Sequence, residues 1–411
     1  GFALVDNTTG NYNTAHGFQA MGSTTSGSYN TAVGRNALYC NTTSGVNTAV
    51  GYSAGYCITG HNTTSIGEGA HGNKGASCYV VAVGNCANQA AGSSCGTVAI
   101  GAGAMRCNTG NMSVGVGFLA LCQNQGAHYN TAVGACSLYA NTTGTENVGV
   151  GFKALVNNTC GDQNTAIGFC SGYGITSGCC NTSSGYMSLA STTTGAANVA
   201  MGGHALQQNT TGHHNVALGH QALCANTTAT FNVAVGRESM RSNTTGCRNT
   251  ASGYGSSKAN TTGCFNIAVG NRALLSNTTA SNNTAVGACT LYANTTGAKN
   301  TAVGFKALVL NTCAHHGTAI GNRALHCNTT GHSNTASGSY ALFKNTTGAC
   351  NQAYGTLSLY NNTTGCYNTA TGYQALYNNT SGNYNVASGH FALNRATGTG
   401  NVASGYNALS N

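Results

Sequence analysis

One glycine recurs along this chain every 17 residues. It stands at Gly17, Gly34 and Gly51, continues through Gly134, Gly151 and Gly168, and runs on past Gly304 and Gly321 to Gly405. The spacing falls to 16 at three steps: Gly51 to Gly67, Gly101 to Gly117, and Gly389 to Gly405. A fixed period of this length means that one supersecondary unit is restated about 24 times. No composition shift, linker or charge block interrupts the series, so residues 1–411 read as one continuous repeat domain without evident caps. The series enters mid-unit at Gly1 and leaves mid-unit at Asn411, which reads as a processed or partial chain, or as rods that stack end to end.

With that glycine at position 5, the unit from Asn300 to His316 shows the pattern. Asn300 is position 1 and Thr301, Ala302 and Val303 are positions 2 to 4. Ala307 and Leu308 are positions 8 and 9, and Asn311 is position 12. Near copies stand at Asn147 to Gly161 and Asn368 to Gly382. Positions 12 to 15 usually read Asn-Thr-Thr-Gly. Two glycines per unit, abundant β-branched residues and the lack of a 3.6-residue spacing argue against helices. Alternation over positions 1 to 4 suits a short strand, as do positions 8 to 10, and the glycines at 5 and 15 suit turns that need positive φ.

The expected fold is all-β: a single-chain parallel β-solenoid with a 17-residue rung. Strands stacking about 4.8 Å apart make about 24 rungs a rod roughly 115 Å long. Positions 2, 4 and 9 are expected inside, giving stacks of Val286, Val303 and Ile320, and of Leu291, Leu308 and Leu325. Position 3 admits only small side chains, being pinched between sheets or facing a neighbouring chain. The asparagines at positions 1 and 12 suit stacked amide ladders.

The 20 cysteines are phased with the repeat. Cys40 and Cys57 share position 11 one rung apart; Cys78 with Cys95, and Cys247 with Cys264, share position 16. Cys107 with Cys122, and Cys350 with Cys366, are near-equivalent neighbours. Cα atoms one rung apart fall inside the disulfide window of roughly 4.4–6.8 Å, so these pairs are expected to staple rungs. Such staples imply an oxidising, extracellular or surface location. The Asn-Thr-Thr turns are formally glycosylation sequons, with Asn41, Asn141, Asn226, Asn294 and Asn345 as candidates. Glycans on every rung would crowd, so a ladder amide is the favoured role.

Only 5% of the residues are charged. The 14 Lys and Arg against five acids give a formal charge of +9, but the cations stand singly. A nucleic-acid groove would need them clustered with aromatics, so no nucleic-acid partner is expected. No apolar run reaches the roughly 18 residues of a membrane span. Asp6, Glu68, Glu146, Asp162 and Glu238 share no equivalent positions on neighbouring rungs, so no paired-carboxylate site, enzyme or cofactor is expected. His315 and His332 share position 16 and read as exposed turn histidines.

The motif N-T-A-V-G-x-x-A-L-x-x-N-T-T-G resembles repeats of viral and phage tail-fibre or surface-fibril proteins. Asn13-Thr14-Ala15 and Asn130-Thr131-Ala132-Val133-Gly134 are also similar to head repeats of trimeric autotransporter adhesins. Those repeats form parallel β-rolls associating in threes, with a shorter unit. The resemblance implies an extracellular structural or attachment role. The expectation is therefore a fibre or filament subunit, an adhesive rod that self-associates end to end or laterally and displays its variable positions. Position 6 carries aromatics, among them Tyr52, Phe118, Phe152, Phe169, Tyr186 and Phe305, suited to stacking surface glycans or packing on a neighbour. The alternatives are a carbohydrate-binding surface protein and an ice-binding solenoid with a Thr/Asn array. Against ice binding, position 2 exchanges Thr for Val and Ile, as a buried position would.

Overall fold

The computed structural model describes every residue except 73, 74, 91 and 411, so the mid-unit exit at Asn411 lies outside the described residues. The chain divides into two compact units, Gly1–His204 and Ala205–Asn411. Each is a parallel β-solenoid with the expected 17-residue rung, and no described residue is helical. The first unit runs from β1 (Thr14–His16) to β12 (Val199–Met201), and the second from β13 (Val216–Leu218) to β24 (Val402–Ser404). Within each unit every strand pairs in parallel with the strand one rung on. In the second, β17 (Thr284–Val286), β18 (Thr301–Val303) and β19 (Thr318–Ile320) pair Val286 with Val303 and Val303 with Ile320.

Strands are only three or four residues long because the rest of each rung turns. Position 5 requires glycine: Gly304 has φ of 133°, and a Cβ there would run into the Gly321 carbonyl of the next rung. Positions 7, 9 and 17 are also left-handed, as at Lys306 (54°), Leu308 (50°) and His316 (59°). Outside glycine such residues are uncommon and cost roughly 1–2 kcal/mol each. The repeat holds them by rung-to-rung hydrogen bonds in both directions. Lys306 N–H donates back to the Ala288 carbonyl at 3.0 Å, and Leu308 N–H donates forward to Ala324 at 3.0 Å. The glycines at position 15 do not have positive φ; they make room instead, since a Cβ at Gly348 would sit 2.5 Å from Asn345 Oδ1. Alanine nevertheless occupies the position at Ala280 and Ala314.

The strand is turned the opposite way to the sequence expectation. Ala302 at position 3 is fully buried, whereas Val303 is 37% and Ile320 46% exposed. Position 2 is likewise exposed or half-buried. Leu291, Leu308 and Leu325 at position 9 are fully buried, as expected. The reason is the width of the interior. At Gly172, which stands at position 9, a Cβ would lie 3.4 Å from the Ala166 Cβ at position 3. Leucine reaching across from the turn leaves space for only a small side chain opposite, so position 3 is pinched inside and larger apolar residues go outside. Gly115 obeys the same limit: a Cβ there would meet Met105 at 2.7 Å.

Two asparagine ladders line the remaining interior. Asn311 Nδ2 donates to Asn294 Oδ1 at 2.8 Å and to the Ala314 carbonyl at 3.2 Å. Asn300 Nδ2 donates to Ala314 O at 2.8 Å, while its Oδ1 accepts from Gly317 N–H at 2.8 Å. Two rungs change this arrangement together. Gly55 and Gly172 replace the leucine, and Ile58 and Ile175 replace the position-12 asparagine and refill the core. The exchange breaks the ladder, and the buried Asn158 Oδ1, which would have met the next amide, has no hydrogen-bond partner.

Candidate functional site

Outward-facing groups of the rung fall into rows, because equivalent residues stack along each unit. One row pair is the strand face, built from positions 2 and 4. No Lys, Arg, Asp or Glu occurs in any described strand. Thr284, Thr301, Thr318 and Thr335 follow one another at position 2, with Val286, Val303 and Ile320 beside them at position 4. Position 6, across the glycine, holds one row of exposed aromatics. Phe152, Phe169 and Tyr186 stack with centroids 5.2 and 5.5 Å apart, and the Arg35 guanidinium lies over Phe18 and Tyr52 at 5.6 and 6.0 Å. Position 10 forms a second ring ladder of His326, Phe343, Tyr360 and Tyr377, with neighbouring centroids 4.9 to 5.2 Å apart. Burial there lowers the His326 pKa.

The cysteine expectations divide by register. Cys40 and Cys57 form a disulfide with Cα atoms 4.6 Å apart. The Cys78 and Cys95 Sγ atoms are 2.6 Å apart and those of Cys247 and Cys264 are 3.2 Å apart, both pairs as thiols. Hydrogen bonding between the thiols pushes the Cys78 and Cys247 pKa values up. The two near-equivalent pairs are one residue out of register and do not staple. Cys107 donates through its backbone to the Cys122 carbonyl at 2.8 Å, and Cys122 is a buried thiol. Cys366 Sγ accepts from Ala349 N–H at 3.3 Å, because Ala349 and not Cys350 is its partner one rung away.

The five glycosylation candidates stand in the position-12 ladder. Asn41, Asn141, Asn226, Asn294 and Asn345 are all fully buried. Each Nδ2 is already donating, as Asn345 does to Asn328 Oδ1 at 2.8 Å and Gly348 O at 2.9 Å. In the folded ladder these amides are not exposed acceptors. Among the described residues, no group of three or more His, Cys, Asp and Glu could hold a metal ion, and no helix is long and apolar enough to cross a membrane.

Two cavities open beside a position-7 glycine. In the first unit, Gly69 leaves a cleft of about 290 Å³ beside Tyr52 and Tyr56. In the second, Gly255 opens a cavity of about 410 Å³ lined by Tyr254, Lys258, Arg272 and Tyr292 with Ser242 and Ser276. Arg272 lies over the Tyr254 ring at 5.8 Å. Lys258 Nζ pairs with Glu238 at 2.5 Å, and that hydrogen bond holds the Glu238 carboxyl below the usual carboxylate range. Sequence reading passed over this site, although a glycine among long side chains at position 7 marks it. No protein-family model matches the chain, and no curated protein matches it.

Proposed function

We propose that this chain is a structural subunit of an extracellular fibre or stalk, which associates with further copies of itself through the strand face. The observation that carries the reading is the uncharged, partly apolar row pair at positions 2 and 4, left open to solvent in both units. A soluble chain rarely leaves a contiguous apolar face uncovered, and the cores of protein interfaces are depleted in charge. The Cys40–Cys57 staple supports an oxidising destination. In this reading the chain performs no catalysis; its role is mechanical, with variable positions displayed in rows for attachment.

Sedimentation equilibrium of the full chain tests the proposal. Oligomers are expected, and the double variant Val286→Lys/Val303→Lys should shift them towards monomer. A wild-type chain that stays monomeric at every concentration sinks it.

A second reading is favoured by one specific observation. The position-2 threonines point outward at rung spacing, which removes the objection to ice binding that their exchange for valine raised. A thermal-hysteresis measurement decides. Activity lost in Thr301→Lys/Thr318→Lys supports an ice-binding face, and absence of hysteresis in the wild type rejects it.

A further inference from the structure

The cavity at Gly255 has the makings of a ligand site independent of the strand face. Its volume of about 410 Å³ is within the range of small-molecule sites, roughly 300–1,000 Å³. It exists because one side chain is missing. A Cβ at Gly255 would make ordinary contacts, 3.5 Å from Leu275 and 3.8 Å from Arg272, so a side chain would fit and would fill the space. Other rungs place Leu119 and Leu357 at this position with φ of 53° and 60°, close to the 62° of Gly255. The backbone alone therefore does not require glycine here.

What lines the cavity is chemically selective. Lys258 is already matched by Glu238, but no ion pair among the described residues engages Arg272. Its guanidinium, held over Tyr254, offers a planar fork for a carboxylate. Tyr254 and Tyr292 supply ring surface, and Ser242 and Ser276 supply hydroxyls. A hydroxylated pyranose ring with an apolar C–H face and one carboxylate satisfies all three kinds of group. We propose that this cavity is a binding subsite for an acidic sugar unit, with the carboxylate on Arg272, the ring against tyrosine and the hydroxyls towards the serines. The aromatic walls favour such a ring over a bare anion, and the unmatched cation favours it over a neutral sugar.

Calorimetric titration of the full chain with a hexuronate oligosaccharide, its methyl ester and inorganic sulfate tests this. Saturable binding of the hexuronate is expected, with the ester at least about tenfold weaker, as loss of a charge-assisted pair implies. Gly255→Leu, which fills the cavity, and Arg272→Gln, which leaves it open, should each weaken hexuronate binding by at least about tenfold. Gly69→Leu in the other unit should not. Circular dichroism of each variant confirms that it has folded. Unchanged affinity in both Gly255→Leu and Arg272→Gln overturns the proposal. So does sulfate that competes as well as the oligosaccharide, or the absence of hexuronate binding. Sedimentation of the same samples reads association separately, so a failed subsite and a failed fibre reading are distinguishable.

Discussion

At the scale of single residues, the interior is defined by Leu308 and Ala302, and not by the larger Val303. The buried leucine faces a methyl across a narrow gap. Leu308→Ala should therefore destabilise its unit by about 2–5 kcal/mol, the range for cavity-forming core substitutions. Val303→Ala, at an outward position, should cost less than about 1 kcal/mol in the isolated chain. Urea unfolding followed by circular dichroism ranks the two, and the reverse order would contradict the inside-out strand. The sequence made Leu308, the ladder asparagines and Gly304 legible, because one residue type dominates each of those positions. The direction of the strand was not legible. Three alternating residues fit either face equally well, and hydrophobicity pointed to Val303 where the deciding quantity was volume. The left-handed residues Lys306 and His316 were hidden too, since their types vary freely and the conformation is imposed by hydrogen bonds from neighbouring rungs.

At the scale of the rung, the three short repeats show which part of the unit is dispensable. In the rung after Gly101, Asn108 Nδ2 donates to the Gly110 carbonyl, two residues on, at 3.0 Å. In a full rung Asn294 makes the same bond to Gly297, three residues on, at 2.9 Å. The missing residue is therefore position 14, the exposed second threonine of Asn-Thr-Thr-Gly, as seen again where Asn47 meets the Gly60 carbonyl. An asparagine ladder bond still crosses two of the shortened rungs: Asn124 Nδ2 donates to Asn108 Oδ1 at 2.6 Å after Gly101, and Asn401 Nδ2 to Asn385 Oδ1 at 3.0 Å after Gly389. Deleting Thr296, the position-14 residue of its rung, should leave a folded chain with a melting temperature within a few degrees of wild type, about 1 kcal/mol or less of change. Deleting Thr301 instead shifts the strand by one and drives Ala302 outward against its neighbours. That variant should lose native spectra around the lesion. Equal tolerance of the two deletions would mean that register is not fixed by the strand. The same register rule explains which cysteines the sequence placed correctly. Cys40 with Cys57 matched because both stand at one position, while Cys350 with Cys366 failed because a slip of one residue changes the partner.

At the scale of the whole molecule, charge and apolar surface are segregated. The formal charge of +9 comes from 14 cations and five acids, none of which lies in a described strand. Two copies brought together by their strand faces would thus meet uncharged surface to uncharged surface, while their like net charges repel. Those two terms respond oppositely to salt. Repulsion is screened over a Debye length of about 10 Å at 0.1 M and about 3 Å at 1 M. Apolar association is not weakened by screening, and sulfate strengthens it by exclusion from the surface. Self-association should therefore tighten as sodium chloride is raised from low to molar concentration, and tighten further in sulfate, as read by sedimentation equilibrium. Association through opposed charged rows, such as the cations near Arg272 meeting Glu68 of another copy, would weaken over the same range. A falling association constant would therefore move the interface from the strand face to the charged turns. In the Val286→Lys/Val303→Lys variant, salt should restore only part of the lost affinity, because screening cannot replace buried valine.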